Sequence, residues 1–257
     1  MRSGSRDTSV TLVLPAYNEA KALKPLFEEL AHLRARERMP TRVVVIDDGS
    51  TDETPLVVQQ WADCLPINYR RHPTNQGLGR TLYDGLSLAA ELSEPDAVIV
   101  TMDADHTHPV ELIPRLVEKL KEGFDVVIAS RYQPGARVMG LSRSRRLLSR
   151  GASALYRLAF RHAEVRDYTS GFRAYRAVAI RNLLQREGHR LLTEQGFAST
   201  AQLLLKLLQT GARATEIPLV LRYDRKPGCS KMRICRTTMS TLGLVAKTVL
   251  WPKRSPT

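Results

Sequence analysis

Apolar runs and amphipathic stretches alternate along the first 130 residues. The run VTLVLP (10–15) is short and stops at Pro15, and behind it Leu23, Leu26, Phe27, Leu30 and Leu33 recur at helical spacing. RVVVIDD (42–48) is β-branched without polar alternation, the pattern of a strand buried on both faces. In GSTDET, Ser50 and Glu53 have the spacing of a capping box, which predicts a helix start there. INYRRH reads as a weaker strand, NQGLGR as a turn, TLYDGLSLAAEL as a helix and DAVIVTMD as a buried strand. PVELIPRLVEKLKEG reads as a helix with Pro109 at its first position and Gly123 near its end, and FDVVIAS as one more strand. Strand and helix alternating at this pitch predict βαβ units and a mostly parallel sheet. Ligands of such sheets sit beyond the carboxyl ends of the strands. Here those ends carry Tyr17 to Glu19, Asp47 with Asp48, and Asp103 with Asp105.

The second half is less regular. RSRRLLSRGASALYRLAFR predicts a basic amphipathic helix, DYTSGFRAYR a turn entering a short strand, and GFASTAQLLLKLLQTG a helix closed by Gly211. ATEIPLVLRYDRKPGCSKM reads as a strand running into a basic Pro/Gly loop, and CRTTMSTLGLVAKTVLW as a final helix with Met239, Leu242, Val245, Ala246, Val249 and Leu250 on one side. There is no internal repeat, and the chain reads as one domain over 1–257.

The net charge of +13 is unevenly spread: residues 1–130 carry −6, residues 131–190 carry +11 with 14 arginines and no lysine, and residues 191–257 carry +8. Such asymmetry points to nucleic acid, an anionic membrane surface or a phosphate-bearing substrate. Arginine without lysine favours phosphate, whose oxygens the guanidinium fork matches; a solvated basic face is the plainer alternative. Nucleic acid fits poorly, because aromatic-interleaved basic runs are lacking and the acidic strand ends would repel it. No apolar run is long enough to span a membrane, and the N-terminus has no apolar signal region. Cys64, Cys229 and Cys235 form no paired framework, so a reducing, cytoplasmic setting is expected.

Asp103 and Asp105 stand two apart, so in extended chain their side chains point the same way. Like charges that close call for a cation, and hard carboxylate oxygens suit Mg²⁺ or Mn²⁺; two solvated strand-end acids are the alternative. His106 and His108 raise a zinc site as a rival, although no further His/Cys cluster accompanies them. Asp47 and Asp48 could accept hydrogen bonds from a base or ribose, or simply build a turn. The Tyr17 ring could stack on a base. Gly77 and Gly79 could admit a phosphate or sugar near the backbone, or mark a turn.

Together, LPAYNEA, VVVIDDGSTDET, NQGLG, TMDADHTHPVELIP, ASRY, DYTSGFRAYR and PGCSKM resemble the family 2, GT-A-fold glycosyltransferases, over roughly 9–251. Within them the chain is most similar to the dolichol-phosphate and polyprenyl-phosphate mannosyltransferase branch. The resemblance implies an α/β fold of GT-A (Rossmann-like) type: a mostly parallel sheet flanked by helices, a smaller acceptor-side region and a C-terminal amphipathic helix. It implies a nucleotide-sugar-binding half (8–130), an acceptor-binding half (131–232) and a helix at 233–251 that touches a membrane. It implies inverting, Mg²⁺- or Mn²⁺-dependent transfer of a hexose, mannose from GDP-mannose, to a polyprenyl phosphate by a peripheral protein at an anionic membrane surface. Another donor such as UDP-glucose or UDP-GlcNAc, or a soluble hydroxyl acceptor, is the alternative.

By the same resemblance Pro15, Tyr17, Glu19, Asp47 and Gly77 line the donor pocket, and Asp103, Asp105 and Thr107 hold the metal. Arg131 stands near the reacting phosphate, Arg145 and Ser149 hold the acceptor phosphate, and Arg222, Ser230 and Lys231 belong to a basic loop over the donor. Asp105 and Arg131 are the expected catalytic pair. His106 replaces a usual leucine and Gln202 a usual glutamate, and the C-terminal membrane helices of some members are missing. A phosphate acceptor, with its second pKa near ~6, is already a nucleophile at neutral pH. A hydroxyl acceptor would need a base, for which Asp48 and Asp167 are the candidates.

Overall fold

The computed structural model describes residues 8–141, 143–160, 164–226 and Gly243; the side chains of 143–150 and 152 lie outside that description, as does the expected helix at 233–251. The first half alternates as its pattern predicts: β1 (Val10–Ala16), α1 (Ala20–Glu37), β2 (Thr41–Asp47), α2 (Thr54–Trp61), β3 (Ile67–Arg71), α3 (Leu78–Leu92) and β4 (Val98–Thr101). A 3₁₀ turn (Val110–Leu112) leads into α4 (Ile113–Lys121), then β5 (Val126–Ser130) and β6 (Arg137–Met139). The remainder is α5 (Arg143–Phe160), β7 (Arg173–Arg176), α6 (Ala177–Glu187), α7 (Phe197–Gln209), β8 (Ala214–Pro218) and β9 (Val220–Arg222).

The main sheet has the order β3-β2-β1-β4-β7-β5-β8, and β6 pairs with β9 in a small parallel ribbon. In the main sheet β7 runs against both its neighbours, and the other strands are parallel. The chain moves from β1 outward to β3, then returns to lay β4 on the other side of β1. That reversal opens a crevice at the carboxyl ends of β1 and β4, where ligands of open α/β sheets bind.

Both faces are covered, which is why β1, β2, β4 and β5 read as continuous apolar runs. On one face Leu23, Leu26, Phe27 and Leu30 of α1 and Ile113, Leu116 and Leu120 of α4 pack on Leu12, Leu14, Val43 and Val100. On the other, Leu82 and Leu86 of α3, Ile180 of α6 and Leu203, Leu204 and Leu207 of α7 pack on Val13, Val44, Ile46 and Ile99. Burying such a side chain stabilises by roughly 1.5–3 kcal/mol.

Four local expectations change. β1 does not stop at Pro15 but runs to Ala16, pairing with β2 as far as Ala16↔Asp47. Pairing with β4 ends at Val13↔Thr101, and the Val13 carbonyl accepts from the Met102 amide. Two residues on, Pro15 faces the same side beyond the end of β4, so its missing N–H breaks no ladder bond. Ser50 caps no helix: its hydroxyl accepts the Asn18 amide at 2.9 Å, and α2 begins at Thr54. Pro109 precedes a 3₁₀ turn, and Pro114 takes the first-turn place in α4. Helix α6 and strand β6 went unread, although Ala177, Ile180 and Leu183 are buried at helical spacing.

One turn depends on glycine. Gly49 has φ +73°, and a Cβ there would lie 2.7 Å from the Thr74 carbonyl carbon. The turn after β2 therefore lies directly on the 74–75 loop. Gly49→Ala should cost about 2 kcal/mol, from left-handed strain and displaced backbone, read as a lower urea midpoint with an unchanged slope.

Candidate active site

The carboxyl ends of β1, β2 and β4 form one rim, sewn together by side chains. Asn18, at φ 53°, donates its amide to the Ser50 hydroxyl and accepts the Thr51 and Asp52 amides on Oδ1 at 2.7 and 3.3 Å. The Glu19 amide donates to Thr54 Oγ1 at 2.9 Å. Pro15, Tyr17 and Glu19 are thus brought beside Asp47, with the Tyr17 ring exposed. Asp47 is fully buried. Its Oδ1 accepts the Ser50 amide at 2.8 Å, its Oδ2 accepts the Tyr69 hydroxyl at 2.7 Å, and Arg71 Nε lies 3.5 Å away. Burial and the Asp47 contact push the Tyr69 hydroxyl well above its ordinary pKa, so it stays a donor to Asp47.

Asp48 builds the next loop. Its Oδ1 accepts the Gln76 amide and its Oδ2 the Gly77 amide, each at 2.8 Å. Oδ1 also meets His72 Nδ1 at 2.8 Å, and His72 Nε2 meets Asp84 Oδ2 at 3.0 Å, where Arg80 Nε donates at 2.7 Å. Asp48, His72 and Asp84 are all buried. Sequence reasoning missed this chain of contacts, because its members are scattered along the chain. Gly77 keeps open space on its Cα, whereas a Cβ on Gly79 would lie 2.3 Å from the Glu194 carbonyl oxygen. Gly79 therefore admits a neighbouring backbone. Gln202 accepts the Thr193 and Glu194 amides and donates to the Thr193 hydroxyl at 2.8 Å. A glutamate could not supply that last bond when ionised.

The D-x-D pair lies in a turn, not in extended chain, and the turn brings the two carboxylates within electrostatic reach of each other. Asp105 Oδ1 accepts the Thr107 amide and hydroxyl at 3.2 and 2.7 Å, and Oδ2 accepts from Lys226 Nζ at 2.5 Å. Burial pushes the Asp105 carboxyl up, but Lys226, His108 and Thr107 outweigh it and hold it below the usual carboxylate range. Burial dominates at Asp103 and raises it, against His108, Lys226 and Arg131. Gly171 lets this happen sterically: a Cβ there would lie 3.0 Å from Asp103 Oδ1.

The histidines serve the turn. His108 Nδ1 accepts the Asp103 amide at 3.2 Å, and its ring packs on Phe172 with centroids 5.0 Å apart. His106 has φ 61° and is buried. Its Nε2 lies 3.1 Å from Glu29 Oε1 without hydrogen-bond alignment. Glu29 Oε1 also accepts from Arg225 at 3.0 Å. Among the described residues no three His, Cys, Asp or Glu side chains could hold one metal ion. Two hard carboxylates do suit Mg²⁺ or Mn²⁺, which takes its remaining ligands from water and substrate phosphate. Thr107 enters by orienting Asp105.

Arg131 is locked. Its Nε and Nη2 donate to both oxygens of buried Asp167 at 2.8 and 2.6 Å, and Nη2 also donates to Thr169 at 2.6 Å. Burial opposes the charge on Asp167, but Arg131 holds its carboxyl well below the usual range. Glu216, from β8, accepts the Arg166 and Asp167 amides at 2.7 Å each. The Arg222 guanidinium pairs with exposed Asp224 at 2.8 Å, and its amide binds the Thr107 carbonyl at 2.9 Å. The Arg145 and Ser149 side chains, Ser230 and Lys231 lie outside the described residues.

The chain matches the family model "Glycosyl transferase family 2" over residues 11–184. It is 33% identical over 187 residues to a dolichol-phosphate mannosyltransferase of Pyrococcus furiosus, a match covering 72% of this chain and 51% of that one. The chain thus spans about half the length of that relative. It is 31% identical over 229 residues to an undecaprenyl-phosphate mannosyltransferase of Micrococcus luteus, covering 87% of each chain. It is 30% identical over 230 residues to a polyprenol monophosphomannose synthase of Mycolicibacterium smegmatis, covering 88% of this chain and 82% of that one. Among solved structures, Mycobacterium tuberculosis glucosyl-3-phosphoglycerate synthase with Mn²⁺, UDP and glucosyl-3-phosphoglycerate superposes with TM-score 0.63 at 20% identity, over 94% of this chain and 80% of that one. The Pyrobaculum calidifontis mannosyltransferase PcManGT with GDP-Man and Mn²⁺ gives 0.63 at 20%, over 98% and 67%. These likenesses show the GT-A fold.

Two variants should move stability in opposite directions. Asp167→Asn strands the Arg131 charge in a buried site and should cost about 3 kcal/mol in urea denaturation. The Asp167 carboxyl is lowered, so its contribution is complete above the unfolded value near ~3.9 and is lost only as pH falls through the still lower folded value. The Asp103 carboxyl is raised, so its ionised form burdens the metal-free fold at neutral pH. Asp103→Asn should therefore raise the melting temperature at pH 7 without metal. That gain should shrink as pH falls toward the ordinary carboxylate range.

Proposed function

The chain belongs to glycosyltransferase family 2, and from that premise we propose that it is an inverting hexosyltransferase moving mannose from GDP-mannose to a polyprenyl phosphate. The names of the three relatives support the polyprenyl-phosphate acceptor and the mannose, and PcManGT with GDP-Man and Mn²⁺ accords with the donor.

The observation that carries the acceptor class is the commitment of the two candidate bases. Asp48 is engaged by two backbone amides and His72, and Asp167 by Arg131. Both carboxylates are committed to partners within the fold, so neither is placed to take a proton from an alcohol nucleophile. A phosphomonoester arrives already ionised. In the step, an acceptor phosphate oxygen bonds to the anomeric carbon, and the bond from that carbon to the nucleotide diphosphate breaks. The electron pair leaves with the diphosphate, and no proton moves.

In this reading Pro15, Tyr17, Glu19, Asp47 and Gly77 receive the nucleoside, with Arg222 and Lys231 over the donor. Asp103 and Asp105, the latter oriented by Thr107, hold a divalent ion, Mg²⁺ or Mn²⁺, which offsets charge on the leaving diphosphate when bound. Arg131, fixed by Asp167, supplies a preorganised positive charge beside Asp103. Arg145 and Ser149 hold the acceptor phosphate. No helix among the described residues is long and apolar enough to cross a membrane. On α5, Leu158 is 75% exposed next to exposed Arg157, a pairing that suits peripheral contact with anionic lipid. The donor half is 8–130 and the acceptor half 131–232.

The test is transfer of label from GDP-[³H]mannose to undecaprenyl phosphate in detergent with Mn²⁺. Organic-extractable product is expected, and Asp105→Ala should lower its rate by about 100-fold or more. Product from UDP-glucose alone, or label passing only to water-soluble acceptors, would overturn the reading.

A further inference from the structure

Lys226 occupies an unusual place. Its ammonium lies 2.5 Å from Asp105 Oδ2, with the two side chains 13% and 12% exposed. Glu19 and Asp103 also act on it electrostatically. So one cation stands among three carboxylates that belong to the donor rim and the D-x-D turn. The backbone next to it is pinned to the same turn. The Arg222 amide binds the Thr107 carbonyl, and Arg225 shares Glu29 with His106. Tyr223 packs against the core under α1 and α4.

The contact has a chemical consequence. Asp105 Oδ1 already accepts two bonds from Thr107, so Lys226 holds the oxygen with capacity left for a metal. Two cations on one buried oxygen repel strongly, since little water stands between them to screen the charges. Lysine is suited to moving away: its charge is compact and its four-carbon stem is flexible. Arg131, fixed by Asp167 and Thr169, is not.

We propose that Lys226 is the resident counter-ion of the Asp103–Asp105 pair, which the divalent metal displaces from Asp105 and which then serves as a binding cation for the donor diphosphate. This rests on the metal reading given above. It assigns Lys226 two opposed effects, competing with bare metal and assisting the nucleotide.

The experiment measures Mn²⁺ binding to the whole chain by the electron paramagnetic resonance signal of free Mn²⁺, then GDP binding by calorimetry at saturating Mn²⁺. Lys226→Gln should bind Mn²⁺ about fivefold more tightly or better, and GDP about tenfold more weakly. Lys226→Arg, which keeps the charge, should restore most of the GDP affinity. Arg225→Gln removes the same charge next door and should change Mn²⁺ affinity less than about twofold. Circular dichroism of each variant confirms folding. Unchanged or weaker Mn²⁺ binding in Lys226→Gln, with clear wild-type binding, overturns the inference alone. An equal gain in Arg225→Gln also overturns it, since bulk charge then explains the effect. No Mn²⁺ binding in wild type or variant removes the metal reading itself, and the inference with it.

Discussion

Asp103 and Asp105 are two carboxylates in one turn, held partly out of water at the end of a buried strand. Leaving both charged there is expensive, and their surroundings answer that cost unequally. Asp105 receives a cation and a hydroxyl and stays ionised easily. Asp103 fits beside Gly171 for want of a Cβ there, and burial together with the charge of Asp105 makes it resist ionisation. The asymmetry leaves a centre that is unstable alone and gains stability from added positive charge. The fold carries this local penalty, and the apolar packing on both faces of the sheet offsets it.

Around that centre, other carboxylates work as builders. Asp47, Asp48, Asp167 and Glu216 each accept backbone amides and so shape the loops that leave the strands. Such charge-assisted bonds are roughly twice as strong as neutral ones, and in a low-dielectric site they hold a loop where apolar contacts are scarce. The His72 ring, between Asp48 and Asp84, extends the same principle to a buried chain of three polar side chains.

Much of this was readable in advance because it is local. The β-branched runs at 42–48 and 98–101 gave two buried strands, and their polar ends gave the rim. Read from spacing alone, Asp103 and Asp105 pointed one way as in extended chain; the structure reaches the same convergence through a turn with a left-handed His106. What stayed hidden is long-range. Lys226 lies 121 residues from Asp105, and Asp167 lies 36 from Arg131. Nothing in a linear pattern pairs them. Pro15 and Ser50 misled for the related reason that their roles depend on neighbours, the short reach of β4 and the position of Asn18. His106 departs from the family pattern, and its partner Glu29 sits on α1, where spacing marks an ordinary helix surface.

Strand β7 is the one strand that runs backward in the main sheet. Because β5 points toward the rim and β7 away from it, the segment 131–172 leaves the rim at Ser130 and comes back to it at Arg173. It is a detour with both ends anchored at the same place, carrying the arginine-rich part of the chain. Its two ends are tied to the sheet, Arg131 to Asp167, the Asp167 amide to Glu216 of β8 and the Ser170 hydroxyl to the Ala129 carbonyl of β5. Both ends of one excursion thus share a single anchorage, so a change in its middle is felt at the D-x-D turn through Arg131, Asp167 and Gly171.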